Sequence, residues 1–457
     1  MGTELRMAKH VLIVGGGYVG MYTALRLHKK MRRELKSGEL KITVVDPQSY
    51  MTYQPFLPEA AAGNLEPRHV VVPLRRVLSR ATILNGRVTR IDHANRQAWV
   101  EVVGGAQQQG VGGGRAGRAA EERVLSYDVL VFCPGSISRT LPIPGLAECG
   151  IGFKTVGEAI YLRNHVLAQM DIAASTAKEE ARKRALTFVF VGGGFAGVEA
   201  LAELEDMARD ACDYYHNIEP SDMRWVLVEA SDHILPEVGA DMGRWTVEAL
   251  RQRGIVVKLQ TLLKSAEGHH IVLSDGEEFD AGTLVWTAGV KPNPVVKRTD
   301  LPIDEKSRVK ATAELTVEGV ADAFTAGDTA AVPDLTKPGQ FTAPNAQHAV
   351  RQAKTLGNNL VASLRGQELK PYKHAYAGSV ASLGLHKGVA QIYGIKMRGL
   401  PAWFMHRTYH LSRVPTVNRK ARVTADWTLA FFFKREVVSL GAIQRPREEF
   451  ELAARKD

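Results

Sequence analysis

The chain has 457 residues, more than a single hydrophobic core accommodates, so two or three domains are expected. Its 45% hydrophobic and 24% charged content is that of a globular protein and excludes global disorder. The net charge of +10 points to an anionic partner, whether nucleic acid, a membrane surface or a small anion, and composition alone does not separate these.

In chain order, the first apolar run, Val11 to Val14, ends at glycines, so no signal peptide is expected. The run belongs to "HVLIV", a strand, followed by the turn "GGGYVG". A helix, "MYTALRLHKKMRRELKSG", is expected to end at Gly38, and "KITVVD" is the next strand. Together these make a βαβ unit. The flanks "RQAWVEVV" and "ERVLSYDVLVF" have strand character. Between them the Gly- and Gln-rich stretch 104–120 reads as a surface loop extending a hairpin.

Residues 187–229 repeat the βαβ plan with "TFVFV", "GGGFAG", "VEALAELEDMARDACDYYH" and "MRWVLVE". A helix at "ADMGRWTVEALRQRG" and a strand at "TLVWTAG" follow, and Pro292 and Pro294 mark a crossing between domains. After "AFTAGDTA" comes a helix over "NAQHAVRQAKTLGNNLVASLRG". From about residue 375 basic and aromatic residues replace acids. Lys396 to Arg435 holds nine Lys or Arg, with Asp426 as its one acid. No uninterrupted apolar run reaches the ~20 residues of a spanning helix.

The two glycine turns carry the chemistry. In Gly15, Gly17 and Gly20 the first glycine permits the tight turn, the second lets a pyrophosphate approach, and the third lets helix and strand pack closely. Phosphates then lie at the helix N-terminus. Gly192, Gly194 and Gly197 repeat the pattern. Each unit ends its second strand in an acid, Asp46 or Glu229, which either binds a ribose or merely ends a strand. A carboxylate at Glu229 accepts from a free 2′-hydroxyl and repels a 2′-phosphate, so NADH is expected over NADPH.

Two elbows, with "FTAGDTA" at 324–330, "LVFCPGS" at 130–136 and "LVWTAGV" at 284–290, resemble the two-dinucleotide-binding-domain flavoproteins. The resemblance implies an α/β fold with two Rossmann-like, glutathione-reductase-like domains. It also implies non-covalent FAD on the first elbow and NADH on the second. Cys133, Cys149 and Cys212 are scattered without CxxC spacing, which fits a reducing setting and no metal site. No cysteine pair follows the first βαβ unit, unlike in disulfide reductases. Instead "YQPFLPEAAAG" resembles a segment of type II NADH dehydrogenases, although Pro58 stands where that family usually has tyrosine. "PNAQHAVRQAKTLGNNL" resembles the family's stretch between flavin and quinone.

The residues that the resemblance implies follow from these matches. FAD would be held by Gly15, Gly17, Tyr18, Gly20, Asp46, Gln54, Val88, Pro134, Gly135, Gly327, Asp328 and Gln347. NADH would be held by Gly192, Gly194, Phe195, Gly197, Glu199, Glu229, Ala288 and Gly289. Glu199 would place the nicotinamide, with a plain first-turn acid as the alternative, and Gln347 and Gln352 would meet the quinone, with His348 beside them. Domains are expected at 8–155 and 291–375 for FAD, 156–290 for NADH, and 376–457 as a membrane-association or dimerisation region.

The implied reaction passes a hydride from NADH to FAD and two electrons to menaquinone or ubiquinone, without proton pumping. The implied setting is peripheral, on the cytoplasmic face of the cell membrane, as a homodimer. The tail with its interleaved aromatics suits an anionic membrane interface, while "WTLAFFF" also reads as a core helix or dimer contact. Nothing resembles a nucleic-acid-binding module. Two rival readings remain: a soluble NAD(P)H-dependent reductase of an electron-transfer protein, and an NADH-sensing redox binding protein.

Overall fold

A computed structural model describes residues 8–102, 121–374, 378–441 and 448–453. The 104–120 loop lies outside them. The chain forms two compact units: Met1–Met51, Val72–Ile137 and Val290–Tyr376 in one, and Thr52–Val71, Ser138–Gly289 and Ala377–Asp457 in the other. The crossing at Gly289 falls in the segment that carries Pro292 and Pro294. The segment 52–71, counted with the first FAD part from the sequence, belongs to the second unit.

The first unit is built on a seven-stranded sheet. In spatial order its strands are Ala323–Thr325, Val129–Phe132, Lys9–Val14, Leu40–Asp46, Thr82–Asp92, Gln97–Val102 and Glu122–Ser126. The first five are parallel and the last three form an antiparallel meander. Its central runs "VLIV" and "VLVF" are buried on both faces, which is why they read as continuous apolar stretches rather than alternating ones. The first elbow helix, Tyr18–Lys30, packs with Ala346–Leu364 over one face, burying Met21, Leu27, Leu356 and Leu360.

This elbow helix does not run unbroken to Gly38. It stops at Met31, which leaves helical geometry at φ −115° and ψ 35° and turns its side chain into the core. A short helix, Arg32–Ser37, then reaches left-handed Gly38. Packing of one apolar residue in a basic, exposed stretch overrides the helical pattern there.

The second unit carries a five-stranded parallel sheet, ordered Gly150–Gly152, Thr283–Trp286, Thr187–Val191, Arg224–Val228 and Val256–Lys258. The second elbow helix spans Phe195–Ala211, and the apolar face of Ala240–Arg251 buries Met242, Val247 and Leu250. Beyond it the same unit holds an antiparallel meander, Gly378–Ser382, Gly388–Ile392 and Ile395–Arg398, which sequence periodicity did not reveal. Two tail helices follow, Leu400–Arg413 and Val417–Phe433, the second capped by Thr416 Oγ1 on the Arg419 N–H.

Candidate nucleotide and redox sites

The first elbow matches what a pyrophosphate needs. Gly15 has φ +99°, and a Cβ there would lie 2.2 Å from the Cys133 carbonyl oxygen. A Cβ on Gly20 would lie 1.8 Å from the Gly15 carbonyl oxygen, so only glycine lets the helix start this close to the strand. Gly17 is the helix N-cap, has open space around it, and its helix has no acid in the first turn. The free N–H groups and roughly half a positive charge at this helix end are left for an anion. Half-buried Tyr18 opens the helix.

Asp46 reaches back into the turn. Its Oδ2 accepts the Gly16 N–H at 2.6 Å and its Oδ1 the Gln48 N–H at 2.7 Å. Burial pushes its carboxyl up, and these two hydrogen bonds oppose the shift. The second elbow repeats the device. Glu229 Oε2 accepts the Gly193 N–H at 2.5 Å and Oε1 the Ser231 N–H at 2.7 Å. Each strand-end acid is therefore a staple of its own elbow. Thr287, unnoticed in the sequence, caps the second turn by donating to Val191 O at 2.9 Å and Gly192 O at 3.2 Å. Ala288 and Gly289 follow it at the strand exit, and half-buried Phe195 starts the helix.

The remaining first-unit residues divide. Pro134 and Gly135 form the turn after Val129–Phe132, and Asp328 accepts from Ser136 Oγ. Gly327 donates its N–H to Gln352 Oε1 at 2.8 Å, and Gln352 Nε2 donates to Thr342 Oγ1 at 3.0 Å. Gln352 is 1% exposed, and its amide fixes the Gly327 turn. The Val88 side chain packs in the core with Leu12 and Phe132, leaving its backbone for a ligand. Gln54 belongs to the second unit, exposed, 3.5 Å from the Lys154 carbonyl oxygen.

Gln347 lies in the first turn of Ala346–Leu364, whose N-cap is Asn345, bonded to the His348 N–H at 2.8 Å. Gln347 Oε1 is 3.2 Å from His374 Nε2, and His348 Nδ1 is 2.9 Å from Tyr372 Oη. Burial lowers His348, and burial, then the charge of Arg351, takes His374 to about 4. Both rings are neutral near pH 7 and so hold hydrogen bonds rather than supply imidazolium protons.

In the second unit Glu199 is a buried residue of the second helical turn, not an exposed first-turn acid. Its Oε1 accepts the Ser382 N–H at 2.8 Å, and Ser382 Oγ donates to Glu203 Oε1 at 2.7 Å. Glu203 Oε2 accepts from Asn64 at 3.1 Å. Burial, then nearby Glu59, pushes the Glu203 carboxyl up to about 7. Glu59 takes Arg407 at 2.9 Å and Trp427 Nε1 at 2.7 Å. The i, i+4 spacing of Glu199 and Glu203 was the one local signal for this cluster; its other members are distant in sequence.

No cysteine enters these sites as a redox pair. All three are free, and burial pushes the Cys133 thiol far up and Cys212 to about 11.

A parallel sheet with a glycine elbow at its strand ends, occurring in each of two units, defines a protein built to hold two dinucleotides. The pyridine nucleotide-disulphide oxidoreductase family matches residues 9–353, and the chain belongs to it. It is 25% identical to the type II NADH:quinone oxidoreductase Ndh of Mycobacterium tuberculosis over 440 residues, covering 93% of this chain and 88% of that protein. It is 28% identical to the type II NADH:quinone oxidoreductase of Staphylococcus haemolyticus, covering 87% and 93%. Its fold matches NDH2 of Plasmodium falciparum, solved with NADH, at a TM-score of 0.83 and 16% identity over 94% and 99% of the two chains. The sulfide:quinone oxidoreductase of Aquifex aeolicus matches with a TM-score of 0.65 at 17% identity.

Proposed function

We propose that the chain is an FAD-dependent, non-proton-pumping NADH:quinone oxidoreductase. The carrying observation is the duplicated elbow: two open helix N-termini, each with a carboxylate stapled at the ribose position. Family membership and relatives spanning nearly the whole chain support it. When bound, FAD supplies the ring that takes a hydride and gives up two electrons.

The chain's residues bind and orient. The first elbow seats the FAD pyrophosphate, and Asp46 its ribose. The Gly327 turn, held by Gln352, and Asp328 sit on the same unit for the remainder of the cofactor. The second elbow seats NADH, Glu229 selects its free 2′-hydroxyl, and Glu199 places the nicotinamide. Gln347 meets the quinone.

The membrane reading rests on the tail. No helix among the described residues is long and apolar enough to cross a membrane. Phe431, Phe432 and Phe433 end the second tail helix in a row, each more than 70% exposed, so "LAFFF" is not a core segment in this chain. Leu400 and Phe404 are exposed on the first. Trp427 instead turns inward to Glu59. Of the nine basic residues, Lys396, Arg407, Lys434 and Arg435 pair with Asp241, Glu59, Asp213 and Asp210. Arg413, Arg419, Lys420 and Arg422 cluster around the turn between the helices. That basic cluster, with exposed aromatics at the other ends of the same two helices, fits peripheral attachment to an anionic surface, which we place on the cytoplasmic face, where NADH is available.

The test is anaerobic. The purified protein is expected to release FAD on denaturation, to bleach with NADH, and to regain its colour with menaquinone or ubiquinone analogues. A colourless preparation that FAD does not reconstitute would overturn the reading.

A further inference from the structure

Neither elbow uses the histidine buried in the first tail helix. His406 is 1% exposed, with Nε2 3.2 Å from Glu199 Oε1, the same oxygen that accepts the Ser382 N–H. The 3.2 Å approach is an ion-pair contact without hydrogen-bond geometry, and neither ring nitrogen has a hydrogen-bond partner among the described residues. The groups facing it come from three helices. Glu199 and Glu203 lie on the second elbow helix, and Glu59, held by Arg407, lies on Leu57–Ala61. On its own helix His410 stands with ring centroids 4.6 Å apart. Arg435 adds its charge near Glu203.

Burial pulls the His406 imidazole down, but Glu199, then Glu59 and Glu203, outweigh it and leave it above the ordinary histidine value. Burial and the His406 charge drive His410 well below that value, so of the two histidines only His406 carries the proton. A carboxylate on a helix has several rotamers. A backbone N–H bonded to one oxygen, with an imidazolium charge 3.2 Å from the same oxygen, selects one of them.

We propose that His406 is a positioning residue for the NADH half-reaction: with Ser382 it fixes Glu199 Oε1, leaving Oε2 to meet the nicotinamide. The inference rests on the reading of Glu199 given above. A misplaced orienting group costs rate rather than fold, on a scale of about 10- to 100-fold. The pH sign follows from the raised value. The imidazolium is present below it and is lost as pH rises through it, so the rate of flavin bleaching at saturating NADH falls on the alkaline side.

The experiment is stopped-flow bleaching of the FAD-loaded full chain by NADH across neutral and alkaline pH, with quinone-driven reoxidation measured separately. His406→Leu is expected to slow bleaching about 10- to 100-fold and to leave reoxidation unchanged. His406→Gln, whose amide nitrogen reaches the position of Nε2, is expected to recover most of the rate with a flat pH profile. A Gln variant that keeps the wild-type alkaline fall overturns the proposal, and this readout stands even where the Leu variant does not fold. Glu199→Gln separates the two readings. If it is slow while both His406 variants behave as wild type, only the positioning role fails. If it bleaches at the wild-type rate, the nicotinamide role of Glu199 fails and the His406 role with it.

Discussion

Gly197 and Gly194 occupy the same elbow, and alanine at each tests a different half of its geometry. A Cβ at Gly197 would lie 2.0 Å from the Gly192 carbonyl oxygen and 2.5 Å from Thr287 Oγ1. Contact would need more than 3 Å, so the helix start must retreat by about 1 Å or the turn must open. Overpacking of this kind costs about 1–3 kcal/mol. For a unit of this size each kcal/mol lowers Tm by about 2–4 °C, giving a fall of about 2–12 °C. A Cβ at Gly194 meets nothing within 4 Å, and the backbone there, at φ −74°, is ordinary for any residue. Gly194→Ala is therefore expected to melt like the parent. It is also expected to raise the KM for NADH at least about tenfold, equivalent to ~1.4 kcal/mol, because the methyl stands where the pyrophosphate approaches. Both variants are expected to keep their FAD, whose elbow lies in the other unit. Thermal melting followed by Trp225 and Trp286 fluorescence, with steady-state KM values, reads both effects. An unchanged melting temperature for Gly197→Ala, or an unchanged KM for Gly194→Ala, refutes the reasoning.

Three further outcomes follow from the same geometry. Glu229→Ala is expected to weaken NADH by about 10- to 100-fold, the loss of a charged hydrogen bond of ~1.5–3 kcal/mol, with NADPH losing far less; the ratio of the two kcat/KM values checks it. Gln352→Ala removes the acceptor of the Gly327 N–H, a cost of ~1–3 kcal/mol, and is expected to speed FAD release, seen as rising flavin fluorescence on dilution. Replacing Phe431, Phe432 and Phe433 together by serine is expected to lower binding to anionic vesicles while leaving NADH oxidation with a water-soluble quinone unchanged. Deleting the tail is a poorer test, because it would also remove His406, Arg407 and Trp427 from around Glu59 and Glu199.

The elbows were legible because their signal is local. A five-residue apolar strand, three glycines at fixed spacing and a terminal acid all sit within about forty residues. What sequence could not convey was which way a side chain turns. Gln352 and Gln347 lie in one helical stretch, yet one amide locks a buried turn and the other sits at half-buried His374. Val88 faces the core because its strand is central, and Gln54 departs with a segment that crosses into the other unit. The nine basic residues of the tail read as one surface charge, but four are paired with carboxylates brought in by the fold. The cluster joins Glu199 and Glu203, one helical turn apart, to Glu59, Ser382 and His406, which lie more than a hundred positions from them and for which no spacing rule exists.

The stapled acids have a consequence for redesign. A nucleotide that meets Asp46 or Glu229 finds a carboxylate already held by two backbone N–H groups, so little freedom remains to be lost on binding. The same bonds couple cofactor preference to the shape of the turn. Glu229→Ala, made to admit NADPH, inherits a buried Gly193 N–H with no acceptor, and the elbow loosens as its selectivity changes, whereas Glu229→Gln removes the charge and keeps an oxygen for that N–H. A workable switch must keep the acceptor while it removes the charge, so glutamine rather than alanine is the replacement that preserves the turn.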